Sequence, residues 1–463
     1  MQENLDILSR AINEWMPQDR PVSQAPAAAE LEKILDLSLG EQGSDQASLE
    51  SAIKAYLHYN PAVSQADFFK LLYSGQNKPA LLGDWITSLS NATMHTYQVG
   101  PVATLMELEL IRQWNRLVGF DDGEGVMVAG GSQANMIGMM LARHHACPDY
   151  KTKGAGGRTL VAFVSDQAHY SAQKAANVLG IGTDNLIAVA SDETGRMRPD
   201  ALEKAIEASL EQGHIPFYIG LTAGTTVVGA YDPVAACSEI ARAHDIWLHI
   251  DGAWGGPILF SEQHRHLLAD SHLADSFAWD AHKLMNVPIT AAVILVKHQG
   301  ALKSCCSGGG GEYLFHEDEN AAYNLGERSI QCGRRADALK VWLSWKAVGN
   351  KGFADKIDYL QGMKTECVQM IEQRDSLEML APAEYLNVLF RYRPENISDE
   401  QELRCLNIEI CKTMMRSGGP YVDYAQYKGR TGIRLILANG EVSREDLVNL
   451  LDKYERIGRE LAS

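Results

Sequence analysis

The sequence predicts an α/β protein: a large domain built on a mostly parallel, seven-stranded sheet flanked by helices, with an N-terminal helical arm and a small C-terminal α+β domain. Two observations predict it. Seven short apolar runs, VMVA, TLVAFVS, LIAVA, FYIGLT, IWLHID, SFAW and AAVILVK, recur between residues 126 and 297, and strands buried on both faces read as continuous rather than alternating apolar stretches. Amphipathic segments such as PDALEKAIEASLEQ and PVAACSEIARAHD separate the runs, and repeated strand–helix–strand units put helices on both faces of a parallel sheet.

Residues 1–75 carry helical patterns broken by the Pro/Ala-rich stretch RPVSQAPAAAE, which reads as an arm that packs on a partner subunit rather than as a domain. The large domain is expected over 76–355. Near its start VATLMELELIRQWNRLVG sets Leu105, Leu108, Ile111, Trp114, Leu117 and Val118 at helical spacing. The seven runs follow. After Arg334, ADALKVWLSWKAVG and a long helix lead into the small domain, 356–463, which ends in the helical pattern LVNLLDKYERIGREL.

The 463 residues exceed what one compact core organises. A net charge of −17 argues against a nucleic-acid partner, which calls for a basic face, and favours a small molecule. A run of about 18 apolar residues, as a membrane span needs, is not found, and the N-terminus lacks the basic-then-apolar pattern of a signal peptide. The eight cysteines show no CxxC spacing, so they read as reduced thiols of a cytoplasmic protein. The pairs His144/His145 and His264/His266 lack the spacing and acidic companions of a metal site, and no metal is expected.

The chemistry gathers at the ends of the apolar runs. Lys283 follows the sixth, in SFAWDAHKLMNVP, and Asp251 ends the fifth, in IWLHIDGAWGG. A charge at the end of a buried strand is costly unless partnered. Ligands of open α/β sheets bind beyond the carboxyl ends of the strands, so the two residues face one crevice. Such a pair suits pyridoxal phosphate, which needs a lysine for a Schiff base, a carboxylate against its pyridine nitrogen and a cradle for its phosphate. VMVAGGSQANMIGMMLARHH offers the cradle, a glycine turn with Ser132 and Gln133 opening a helix. His169, in SDQAHYSAQKAANVLG, and Thr222 to Thr226, in TAGTT, end further strands, the first able to lie on a flat ring and the second to contact it closely. Taken singly, each has an ordinary reading as a surface lysine, a locally satisfied carboxylate, a helix cap, a solvated histidine or a turn. Their common position favours a cofactor site.

In this order GGSQAN, SDQAHYS, TAGTTVVGAYDP, HIDGAWGG, DAHK, YLF and IQCGRRADALKVW resemble the group II pyridoxal-phosphate-dependent amino acid decarboxylases, closest to the glutamate, cysteine sulfinate and aspartate decarboxylase branch, from about Phe68 to the C-terminus. The resemblance implies a fold-type I homodimer with active sites at the subunit interface. It also implies roles. Lys283 would carry the cofactor, Asp251 would pair with the pyridine nitrogen and His169 would stack on the ring. Ser132, Gln133 and His282 would hold the phosphate, while Thr222 and Ala253 line the ring. Arg434, in GIRLILAN, would hold the substrate α-carboxylate. Tyr313, in GGGGEYLF, would lie on a mobile loop and return a proton to the substrate carbon, and the glycines beside it suit a lid.

The sequence departs from the family at the substrate side chain. Lys70 and Leu71 stand where glutamate decarboxylases carry an Asn-Gln pair, and Lys70 has two readings, a cation for a shorter acid such as aspartate or cysteine sulfinate and a solvated surface lysine. Asn91, Thr93, His95, Tyr97 and Gln98 form the expected opposite wall, and Trp254 favours the acidic-substrate branch over 2,4-diaminobutyrate decarboxylases. The expected activity is decarboxylation of a small acidic L-amino acid. The competing readings are another amino acid decarboxylase, an oxidative decarboxylase or carbon–carbon lyase on the same cofactor, and a silent regulatory homologue.

Overall fold

In the computed structural model, which describes residues 2–15, 20–309, 311 and 313–462, the apolar runs form β1 (Glu124–Val128), β2 (Leu160–Ser165), β3 (Leu186–Val189), β4 (Ile215–Thr222), β5 (Trp247–Asp251), β6 (Ser276–Asp280) and β7 (Ala292–Val296). They make one sheet in the order β1-β7-β6-β5-β4-β2-β3. The pairs from β6 through β5, β4 and β2 to β3 are parallel, and β7 runs antiparallel to both β1 and β6. The connection 281–291 explains the reversal, because it is too short to hold the crossover helix that a parallel return requires. That same short return carries Lys283.

The sheet is the mostly parallel, seven-stranded one expected, and its strands are buried on both faces except at the β3 edge. The helix Gly131–Ala146 turns Ala134, Ile137, Gly138, Leu141 and Ala142 inward, a helical stripe against the sheet. In the helix Pro101–Val118 the buried stripe is Thr104, Glu107, Leu110, Ile111, Trp114, Asn115 and Val118. Leu105 is exposed instead. Glu107 explains the rotation: its carboxylate accepts from Met127 N at 3.0 Å and forms a two-pronged pair with Arg334 at 2.6 and 2.7 Å, so the acidic residue must face inward.

A second, four-stranded sheet has the order β10-β11-β9-β8, with β8 at Leu377–Met379, β9 at Asn387–Tyr392, β10 at Asp423–Tyr427 and β11 at Arg430–Ile436. Lys428 and Gly429, at φ 47° and 79°, make the tight turn between β10 and β11, since two positive φ angles match the strand twist of a two-residue hairpin. Helices Glu400–Arg416 and Arg444–Ala462 each bury an apolar stripe.

The chain divides into two units, one of residues 1–75, 369–380 and 390–463, the other of residues 76–368 and 381–389. The N-terminal segment groups with the C-terminal sheet, where Phe68 bridges to Tyr421 with rings stacked at 5.7 Å. Helix Ala338–Glu372, broken in its backbone only at Gly349, runs past position 355. All eight cysteines are free thiols. Among the described residues no helix is long and apolar enough to cross a membrane.

Candidate active site

In the larger unit, β4, β5 and β6 end side by side, Thr222 in register with Asp251 and Asp251 with Ala278. This is the carboxyl edge at which open α/β sheets bind ligands. Asp251 is the last residue of β5. Its Oδ1 accepts from Ala253 N at 3.1 Å and its Oδ2 from Asn135 Nδ2 at 2.7 Å. Thr222, buried at the end of β4, is fixed by its backbone, whose N–H donates to Asp232 Oδ2 at 2.7 Å; Asp232 Oδ1 takes Met197 N at 2.6 Å.

Lys283 extends its Nζ to 3.4 Å from Asp280 Oδ2, and His282 Nε2 lies 3.5 Å from the same oxygen. The Ala291 backbone fixes the other side of that imidazole, with His282 Nδ1 at 3.0 Å from the carbonyl oxygen and 3.1 Å from the amide nitrogen. Asp280 is 2% exposed, and its Oδ1 is buried without a hydrogen-bond partner.

The glycine turn closes on the same place. A Cβ at Gly131 would stand 2.8 Å from Asp280 Oδ2 and 3.0 Å from Ala253 Cβ, so only glycine lets these three segments meet. Gly130, at φ 148°, precedes it. The first-turn amides of helix Gly131–Ala146, those of Gly131 and Ser132 included, have no acceptor within the helix and carry its positive dipole end. Gln133 Oε1 accepts from Ala129 N at 2.8 Å and so braces the turn.

His169 sits two residues before helix Ser171–Val178, its Nδ1 accepting from Ser171 N at 3.3 Å. Burial pushes its pKa down; Lys283 adds to that, while Asp251 and Asp280 oppose it. The imidazole is therefore neutral near pH 7 and lies within electrostatic reach of the lysine and both carboxylates. Lys283, Asp251, His169, Ser132, Gln133, Thr222, Ala253 and His282 thus all lie along one sheet edge or on the loops at it.

The remaining expected residues lie differently. Asn91 is exposed and ends helix Lys78–Ser90 in the left-handed region at φ 49°. Thr93 Oγ1 is 3.1 Å from His95 Nδ1. Tyr97 is tied to the 318–335 segment, its N–H donating to Asn324 Oδ1 at 3.0 Å and its ring 5.4 Å from that of Tyr323, and Gln98 reaches Asp318 at 3.3 Å. Tyr313 is 77% exposed, so its hydroxyl is not packed among the groups around Lys283 in the single chain.

Lys70, Leu71 and Arg434 belong to the smaller unit. There Arg434, on β11, stands in register with Asp423 on β10 and donates to the Lys70 carbonyl at 2.8 Å. Lys70 Nζ is 3.6 Å from Asp423 Oδ2 and 5.5 Å from the Tyr421 ring centre. Leu71 beside it is partly buried. Burial lowers the Arg434 pKa and Asp423 opposes the shift.

Two residues at the site are missing from the sequence reading. Asp280 ends β6 as Asp251 ends β5, so the same signature, a carboxylate closing a buried run, marks it. Asn135 lies inside GGSQAN and is visible only through its contact with Asp251.

The donor set fits pyridoxal phosphate: a primary amine, a carboxylate held by neutral donors, a neutral imidazole, and a helix start whose glycine keeps a cradle open that a Cβ would fill. Known proteins agree. A family model described as the pyridoxal-dependent decarboxylase conserved domain matches residues 28–393. Acidic amino acid decarboxylase GADL1 of Mus musculus is 35% identical over 465 residues, covering 98% of this chain and 83% of that protein. Cysteine sulfinic acid decarboxylase of Homo sapiens is 35% identical over 468 residues, with 98% and 94% covered. The crystal structure of mouse CSAD superposes with a TM-score of 0.94 at 34% identity, covering 99% of this chain and 98% of that one. The chain belongs to the pyridoxal-dependent decarboxylases, carboxy-lyases that work through pyridoxal 5'-phosphate.

Proposed function

We propose that this enzyme converts a small acidic L-amino acid, aspartate, cysteine sulfinate or glutamate, to the corresponding amine and carbon dioxide. One observation carries the substrate class: the similarity along 98% of the chain to relatives named for acidic amino acids and for cysteine sulfinic acid. When bound, pyridoxal phosphate supplies a conjugated ring that accepts the electron pair left by departing carbon dioxide.

The protein's part is to bind, orient and move protons. Lys283 would hold the cofactor through its amine. Asp251 would pair with the ring nitrogen, and the neutral His169 imidazole would lie against the ring. Ser132 and Gln133, at the helix start, would hold the phosphate together with His282, while Thr222 and Ala253 would line the ring. Arg434 holds the substrate α-carboxylate. Lys70 and Leu71, in the smaller unit, are candidates for contacting the side chain, with Lys70 as the cation that would favour a short acid, and Asn91, Thr93 and Tyr97, in the larger unit, are candidates for the same task. Tyr313, on a loop that closes over the site, returns a proton to the α-carbon and excludes water.

The enzyme works as a cytoplasmic homodimer with its active sites at the subunit interface. The exposure of Tyr313 in the single chain supports this, since a proton donor needs a closed surrounding that a second subunit supplies.

The test is to load the purified chain with pyridoxal phosphate and supply aspartate, cysteine sulfinate, glutamate and 2,4-diaminobutyrate together, identifying products by mass spectrometry. β-Alanine, hypotaurine or γ-aminobutyrate is the expected product. A diamine would overturn the acidic-substrate reading, and an aldehyde with ammonia would overturn simple decarboxylation.

A further inference from the structure

Behind Asp251 lies a chain of buried hydrogen bonds whose direction is set by chemistry alone. Its far end is the Trp247 indole, which can only donate, and its Nε1 is 2.8 Å from Ser276 Oγ. The serine oxygen accepts from Trp247. At the other end Asp251 takes an Asn135 amide proton and so turns Asn135 Oδ1 toward the His249 ring; the ring must donate there, and the serine's own proton goes to His249 Nδ1 at 2.8 Å. With Nδ1 an acceptor, the neutral ring carries its proton on Nε2, which faces Asn135 Oδ1 at 3.0 Å. The asparagine amide is thereby oriented. Its Nδ2 donates both protons, one to Ser171 Oγ at 3.0 Å and one to Asp251 Oδ2 at 2.7 Å.

The packing leaves the chain no alternative setting. His249 and Ser276 are 0% exposed, Trp247 is 4% and Asn135 6% exposed. Tyr218 stacks on the His249 ring at 5.8 Å. Helix Gly131–Ala146 approaches so closely that a Cβ at Gly138 would stand 2.6 Å from His249 Nδ1. Ser276 and His249 are in register across β6 and β5, so the sheet itself fixes one of the links. Burial holds the His249 pKa down to about 4, in keeping with a ring that stays neutral.

We propose that Asn135, His249 and Ser276 are positioning residues for Asp251: they deliver one fixed donor to Oδ2 and so set the orientation of the carboxylate that would pair with the ring nitrogen of the cofactor. A reversal of any link would turn Asn135 over and set its carbonyl oxygen against the carboxylate. The inference rests on the reading of Asp251 as the partner of that nitrogen.

The experiment uses the full chain loaded with pyridoxal phosphate labelled with nitrogen-15 in the ring, with two readouts: the resonance of the ring nitrogen and the equilibrium dissociation constant of the cofactor. Imidazole nitrogen resonances of the unaltered protein test the relay without any variant, and they are expected to show His249 protonated at Nε2 and bare at Nδ1 near neutral pH. The opposite tautomer would overturn the proposal. Ser276→Ala, which lies away from the cofactor site, is expected to shift the ring-nitrogen signal toward the deprotonated form and weaken cofactor binding roughly 2- to 10-fold. Asn135→Ala should weaken it roughly 10- to 100-fold, and if that variant does not fold, Ser276→Ala and the tautomer decide. Asp251→Asn separates the two levels. If it alters the ring-nitrogen signal while Ser276→Ala and Asn135→Ala leave both readouts as in the parent, the relay is refuted and the site reading stands; if Asp251→Asn also leaves the signal unchanged, both fall.

Discussion

Lys283 is the residue on which the proposed chemistry turns. Replacing it with Ala removes the amine that carries the cofactor, so borohydride reduction should no longer fix the cofactor to the chain and decarboxylation is expected to fall at least 1,000-fold, on the order of the loss of an activated covalent group. Cofactor still fixed to Lys283→Ala by borohydride would remove the residue from its role. His249 makes a prediction of a different kind. Its pKa falls from 6.5 in the unfolded chain to about 4 in the fold, so the unfolded state binds the extra proton between those values. Stability is therefore fully present above about pH 6.5 and is lost as the pH falls toward 4, by up to about 3 kcal/mol from this group. Urea unfolding midpoints of the cofactor-free chain should drop across that window, and the drop should shrink in His249→Gln. Asp251 and Lys283 are legible in the sequence because a charge closing a buried run needs a reason. Asp280 has the same signature and is hidden by the lysine three positions on. Asn135 and His249 are not legible, because their partners lie 116 and 27 residues away and nothing local marks either as more than a polar core residue.

The loop after Lys283 is held as firmly as the strand before it. Lys356 donates to the Leu284 carbonyl at 2.7 Å and to Asn286 Oδ1, and Asn286 itself sits in the left-handed region at φ 55°. Burial pushes the Lys356 amine down to about 7. Lys356→Met keeps the volume and removes both donors, leaving the two oxygens without that partner, which costs about 1–3 kcal/mol of stability. Because the loss falls on the segment carrying Lys283, the cofactor is also expected to dissociate faster in a chase with excess unlabelled cofactor, and an unchanged release rate would show that β6 alone sets the lysine. The strands of the large sheet are legible in the sequence as apolar runs. The order of those strands is not, nor is the reversal of β7, because both depend on connection length and pairing rather than on any run's own pattern. Leu105 shows the limit within a helix: spacing finds the apolar residues, but Glu107, through Arg334, decides which stripe turns inward.

At the scale of the whole molecule, helix Lys78–Ser90 has one covered face and one open one. One face is clamped, with Ala80, Gly83 and Thr87 buried and a Cβ at Gly83 only 2.6 Å from the Lys340 backbone. The other exposes Leu82, Trp85, Ile86 and Leu89 by 51%, 38%, 43% and 72%. That spacing makes a continuous apolar stripe, and contiguous exposed apolar surface of this kind marks an interaction face in a soluble protein. The proposed homodimer gives it an occupant, a second copy of the chain. Leu82→Glu with Leu89→Glu places two charges on the stripe without touching the clamped face, so each chain should keep its fold and its circular dichroism. Sedimentation is expected to show the particle mass halved, and turnover should fall with it if the active site is completed across the interface. A dimer that persists with full turnover would take this helix out of the subunit contact; a monomer that keeps full turnover would place the whole active site within one chain.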